Sequence, residues 1–163
     1  MPVQKEVRSR MRYGAAGTHV TAWSVNNAPV NTRALEMLPG SPHKAFGLGA
    51  IRGTTPGETV AVPTETFDTA TFEGVIMNNF LVEHDLADGY TMGGNNAVGV
   101  CRHGDIWVQI SEDVEPAYGD LVHLLFTGDN AGKFSNDGGI ALTGMFTGSR
   151  TDEGIAPVEL RRG

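Results

Sequence analysis

Two close acid–base pairs stand out in the chain: His84-Asp85, and His103 with Asp105 two positions on. A histidine beside a carboxylate is the beginning of a general base or of a metal site, because the carboxylate orients the imidazole and favours one tautomer. Each pair supplies two groups, and a site needs a third that the linear sequence does not place. Asp85, Asp105 or Asp120 with a histidine is therefore the thin basis for a small β-barrel hydrolase, with no substrate suggested. Ser24, Ser41, Ser111, Ser135 and Ser149 occupy no GxSxG turn, and GxxxxGK[ST] and HExxH are absent. Cys101 lies inside an apolar strand and reads as a small core residue rather than a thiolate nucleophile. Trp23, Trp107 and Tyr118 have the faces for stacking on a sugar ring, and a carbohydrate- or host-surface-binding module using them or the loop 78–95 is one reading. Scattered aromatics are more commonly core or interface anchors. No catalytic, cofactor or metal-binding set is assigned, and the chain is read as a non-enzyme.

The elements that would position these residues are strands. From Asn96 to Phe126 three apolar runs are separated by short polar turns. Val98 and Val100 alternate with Gly99 and Cys101, then Ile106, Val108 and Ile110 alternate with Trp107, Gln109 and Ser111. Period two predicts half-buried strands, with Gly104 taking a positive φ at a hairpin tip and residues 116–120 forming the next turn before 121–126. Further strands are expected at 45–51, 59–62, 71–77, 133–135, 140–146 and 155–160, with an irregular or edge strand at 18–25. Residues 31–38, NTRALEML, form the best helical candidate, capped by Asn31 or Thr32 and stopped by Pro39-Gly40, with a loop as the alternative. The polar excursion 78–95 reads as an exposed loop. Gly104 and Gly119 are expected as turn formers, and Trp107, Val108, Ile110, Val122 and Leu124 as core or intersubunit packing. Eight to ten short strands predict an all-β fold, a jelly-roll-like or Greek-key barrel or sandwich with an extended N-terminal arm.

The chain has 163 residues, 22 glycines and 8 prolines, which fits one turn-rich β domain large enough for a real core. We divide it into a flexible basic arm, 1–17, and a single barrel or sandwich domain, 18–163. A single cysteine permits no intrachain disulfide and suits a reducing cytoplasm. No apolar run approaches a membrane span and no secretory signal is visible. Net charge is −7, yet Lys5, Arg8, Arg10 and Arg12 against Glu6 put +3 on the first thirteen residues and leave −10 on the rest. A body that acidic argues against direct nucleic-acid binding, which needs a basic face to displace counterions.

The order of features from Phe46 onward resembles the structural cement, or decoration, proteins of tailed-bacteriophage heads. The pieces that carry the likeness are Phe46-Gly47-Leu48-Gly49, Phe72-Glu73-Gly74-Val75-Ile76, the run from Val98 to Val108, Tyr118-Gly119-Asp120-Leu121-Val122-His123, and the closing Val158-Glu159-Leu160. The likeness takes in about two thirds of the chain and leaves out residues 1–42 and 78–95. It implies a β-barrel or jelly-roll-like body on the outside of an icosahedral shell. The implied partners are the major capsid protein and the chain itself, as a homodimer or homotrimer, with no cofactor and no membrane. The implied location is the virion exterior, after synthesis in the host bacterial cytoplasm. Under that resemblance Lys5, Arg8, Arg10 and Arg12 are the expected partner-binding residues, meeting acidic side chains of a coat subunit.

Overall fold

The computed structural model describes residues 14–20, 30–36, 45–78, 84–85, 89–90 and 97–161. In chain order its strands are β1 (Val30–Glu36), β2 (Gly49–Arg52), β3 (Thr59–Ala61), β4 (Phe72–Ile76), β5 (His84–Asp85), β6 (Gly89–Tyr90), β7 (Ala97–Cys101), β8 (Gly104–Gln109), β9 (Leu121–Leu124), β10 (Phe134–Ser135), β11 (Ile140–Phe146) and β12 (Ile155–Leu160). Among the described residues the only helical pieces are 3-10 turns at Thr69–Thr71 and Gly128–Asn130. The fold is all-β, as expected. Five strands close a small barrel in the order β1-β3-β2-β4-β7, and five more form a sheet in the order β10-β9-β11-β12-β8. β5 and β6 pair with each other inside the polar excursion.

The helical candidate is a correction. Residues 31–36 belong to β1, which closes the barrel by pairing in parallel with β3 (Ala34↔Thr59 to Glu36↔Ala61) and antiparallel with β7 (Val30↔Cys101 to Ala34↔Ala97). Alanine, leucine and glutamate favour a helix, but two turns barely outweigh the cost of nucleation. The strand instead has neighbours on both sides and places Leu35, 2% exposed, in the core. Glu36 then fastens the strand end to the following turn, accepting hydrogen bonds from Thr54 N (2.8 Å), Thr59 Oγ1 (2.6 Å) and the Thr54 hydroxyl. These donors, the two hydroxyls first, favour its ionised form and lower its pKa.

The hairpin expected at Gly104 is the second correction. β7 is a wall of the barrel, whereas β8 lies in the other sheet against β12, with register from Ile155↔Gln109 to Leu160↔Gly104. Arg102 and His103 carry the chain across, and Gly104 turns into β8 with φ 111°. Two adjacent strands of alternating pattern look the same in sequence whether they pair with each other or cross between layers.

The packing shows why both faces of these strands are apolar. Val98, Val100 and Ile76 point into the barrel with Leu35, Leu48 and Val60. Their alternating neighbours Cys101 and Val75 point out of it into a second core, with Ile106, Val108, Leu124, Phe134, Phe146 and Val158. β4 and β7 are thus one wall with a core on each side. Ile110 bridges to Phe134, and Ser111 N donates to Phe134 O at 3.2 Å, so the second sheet curls until its two edges touch. The outer edge of β8 is covered by the N-terminal segment, antiparallel to it. Gly17 N donates to Trp107 O (2.7 Å), Trp107 N to Thr18 O (2.8 Å) and Val20 N to Asp105 O (3.2 Å). Residues 18–20 therefore take the edge position expected of 18–25, whose remainder lies outside the described residues.

Candidate functional site

The residues singled out for chemistry are scattered by the fold. Asp105, on β8, faces Glu159 across the β8–β12 ladder and stands near His19. Its carboxyl is held above the ordinary carboxylate range, first by partial burial and then by the Glu159 charge, against a pull in the other direction from His19. The backbone carbonyl of His103 instead accepts a hydrogen bond from the Cys101 thiol, at 3.2 Å. His84 and Asp85 lie on β5, with their side chains outside the described residues. Among the described residues no group of three or more His, Cys, Asp or Glu side chains is placed to hold a metal ion. Asp120 serves structure: its carboxylate accepts from Ala117 N and Asn136 Nδ2, each at 2.9 Å, and these bonds lower its pKa. Lys5, Arg8, Arg10 and Arg12, and Trp23, lie outside the described residues.

Cys101 is fully buried in the second core, and desolvation pushes its thiol up to about 11 despite the bond to His103. At neutral pH it carries almost no thiolate, the form that reacts. Treatment of the native protein with a maleimide should label it negligibly, and full labelling should appear only on unfolding. Rapid labelling of native protein, followed by mass spectrometry, would place the thiol at the surface instead.

The structure assembles a feature that sequence reasoning missed. Glu73, on β4, is 7% exposed and sits between two guanidinium groups, Arg52 Nε at 3.4 Å and Arg102 Nη2 at 3.6 Å. Arg52 also reaches Ala70 O at 3.4 Å, on the 3-10 turn that Asp68 caps through Ala70 N (2.9 Å). This ties the 3-10 turn, β2 and the β7–β8 crossing together. The only trace in the sequence is a charged residue inside the otherwise apolar strand FEGVI. Beside the cluster opens a groove of about 760 Å³. Phe72, Leu142 and Leu160 line it together with Arg102, His103 and Arg161. Arg161 is held by Glu159 at 3.2 Å and is 57% exposed at its side chain.

A second exposed feature is the turn before β9, beside β11, where Leu121 pairs with Met145 and Gly119 N donates to Phe146 O at 2.8 Å. Tyr118 and Leu121 are 73% and 63% exposed, the two large apolar side chains most open to solvent among the described residues. Of the aromatics singled out in the sequence Tyr118 is exposed, whereas Trp107, 9% exposed, is buried outside the two core clusters with its indole beside Gly14.

Among the described residues no acid–base or metal-binding cluster is assembled, and a small closed barrel and a curled five-stranded sheet that meet at a shared wall make up an all-β domain. The chain belongs to the phage structural cement proteins: the family described as "Structural cement protein (E217 gp24/Pam3 gp6)" matches residues 3–161. Among solved structures, a chain of "The capsid of Myoviridae Phage XM1" is similar at TM-score 0.63 and 16% identity, with 99% of each chain covered. At that identity the likeness is one of fold. No curated protein matches the chain. The protein therefore has a structural, capsid-associated role.

Proposed function

We propose that the protein binds the exterior of an assembled phage head across contacts between coat subunits, as a small homo-oligomer, and stabilises the shell against the pressure of packaged DNA. Membership of the cement family over residues 3–161 is the observation that carries this reading. Packed DNA pushes coat subunits apart, and a clip bound to two neighbours adds its binding free energy to the work of separating them. A protein that binds only the expanded shell favours that state by mass action. Single contacts of about 1,000 Å² or less suffice, since linked contacts gain from effective concentration. No catalysis and no cofactor enter the reading. The charge of −10 outside the first thirteen residues supports a partner that is protein rather than DNA. The basic arm, with Lys5, Arg8, Arg10 and Arg12, is assigned to acidic side chains of a coat subunit, and ordering it costs about 1–2 kcal/mol per residue, so its contacts must be good ones.

Co-sedimentation tests the proposal. The purified protein is mixed with heads that lack it, before and after expansion, and head survival is scored on heating. Saturable binding to expanded heads with a raised rupture temperature is expected, and deletion of residues 1–12 should weaken that binding. Absence of binding at micromolar protein would refute the cement reading for this chain, while binding unchanged by the deletion would refute the role of the arm.

A further inference from the structure

We infer that the bond between Asp137 and Gly138 is a modification site pre-organised by the fold, at which the Asp137 side chain closes on the Gly138 nitrogen to a succinimide that reopens as isoaspartate. The inference is independent of shell binding. The loop 136–139 joins β10 to β11, and Asp137, Gly138 and Gly139 are exposed, so water reaches the bond. Gly138 N donates to Asp137 Oδ1 at 2.7 Å, which holds the nucleophile against the carboxyl group that it must attack. A productive approach needs reacting atoms about 3–3.5 Å apart, and turning the carboxyl plane toward the nitrogen takes only rotation about Cβ–Cγ, a soft torsion in aspartate. Gly138 has no Cβ to shield its nitrogen, and its φ of 72° is one that favours glycine.

Ser135 supplies the second part of the geometry. It is 3% exposed, and its hydroxyl donates to Asp137 O at 2.6 Å while accepting from Asp137 N at 3.1 Å. Asp137 is thereby held at both ends of its backbone. The bond to the Asp137 carbonyl also draws charge from the following amide and makes the Gly138 N–H more acidic, as polarisation along a chain of hydrogen bonds does. Ser135 is thus a positioning residue. The atoms balance without a further reagent: Gly138 N gives up its proton and bonds to Asp137 Cγ, and the carboxylic hydroxyl leaves with that proton as one water. A water then opens the ring. Attack at Cγ restores aspartate, whereas attack at the main-chain carbonyl carbon leaves the backbone running through Cβ, one methylene longer. The longer path displaces the bonds to Ser135 and strains the adjoining contact of Asn136 Nδ2 with Asp120, at 2.9 Å.

Tryptic mapping of the aged full chain tests this. Cleavage after Lys133 and Arg150 yields a peptide in which Asp137 is the only aspartate. After incubation of the native protein in mildly acidic buffer, that peptide should first lose the mass of one water and then regain it as a chromatographically distinct isomer. Electron-transfer fragmentation should place isoaspartate at position 137. Because the fold holds the reacting groups together, conversion should be at least about threefold faster than in a synthetic peptide of residues 133–142. Ser135→Ala should bring the rate down to that of the peptide with circular dichroism unchanged, and Ser135→Thr, which keeps the hydroxyl, should restore it. Asp137→Glu, which could close only a larger ring, should show no conversion. If Ser135→Ala fails to fold, the comparison of native chain with peptide decides alone. Native conversion no faster than that of the peptide, or a folded Ser135→Ala variant that converts at the wild-type rate, would overturn the inference.

Discussion

Replacement of Phe134 by alanine is expected to lower stability by about 3–5 kcal/mol, the range for deleting a fully buried aromatic side chain. Phe134 is 0% exposed and belongs to a strand only two residues long, so few other contacts hold that strand in place. Its backbone also makes the junction where the second sheet meets its own edge, through the Ile110 bridge and the Ser111 N–H. Loss of the ring would leave a cavity at that junction and release the contact between β8 and β10. A cavity there should also weaken the frame of the Tyr118 turn, because Asn136, two residues on, bonds Asp120. Urea titration of the wild type and of Phe134→Ala would measure the effect, and a loss below about 1 kcal/mol would mean that the site collapses around the gap.

Gly74→Ala comes next in size. Gly74 has φ 137°, a conformation that L residues rarely adopt, and a Cβ there would lie 2.3 Å from the Cys101 carbonyl oxygen and 2.7 Å from its carbon. The obstacle is backbone on the neighbouring strand of the shared wall, which cannot rotate aside as a side chain does. Strain of about 1–3 kcal/mol from the dihedral and a similar amount from overpacking predict a loss of about 2–6 kcal/mol in all. Thermal unfolding followed by circular dichroism would show it as a drop of many degrees, and an unchanged melting temperature would mean that β4 and β7 can separate without penalty. As a control, Gly57→Ala also meets a positive φ, 84°, but has open space around it, so it carries a positive-φ cost without the overpacking.

Much of the strand content was legible from Phe46 onward because period-two alternation is a local signal. Residues 98–101, 106–109, 121–124, 140–146 and 155–160 all fall in strands. Partnership was not legible. The β7–β8 crossing has the length and the glycine of a hairpin, and only the closing of the barrel by β1 separates the two outcomes. β1 itself misled because its residue types favour helix, while its fate is decided by β3 and β7, about 25 and 65 residues away. The groove is built from the start of β1, the 3-10 turn before β4, the β7–β8 crossing, β11 and the end of β12. No sequence window contains two of its walls. The Tyr118 turn is the reverse case: its residues are contiguous, and what the sequence could not give was that the ring faces water.

The two-sided wall of β4 and β7, together with the N-terminal segment along β8, has a consequence for how the molecule is made. β1 leaves the ribosome early but cannot complete the barrel until β7 has followed. β7 in turn exposes Cys101, and β4 exposes Val75, until the second core is supplied by residues up to Leu160. Gly17–Val20, synthesised ahead of β8, must wait for that strand before it has an edge to pair with. At about 5–20 residues per second, seconds pass between those events, with apolar strand faces unpaired throughout. Folding is thus gated by translation of β12, and a ribosome stalled short of it would hold a chain with an unfinished second core and an open strand edge, the form most prone to aggregation.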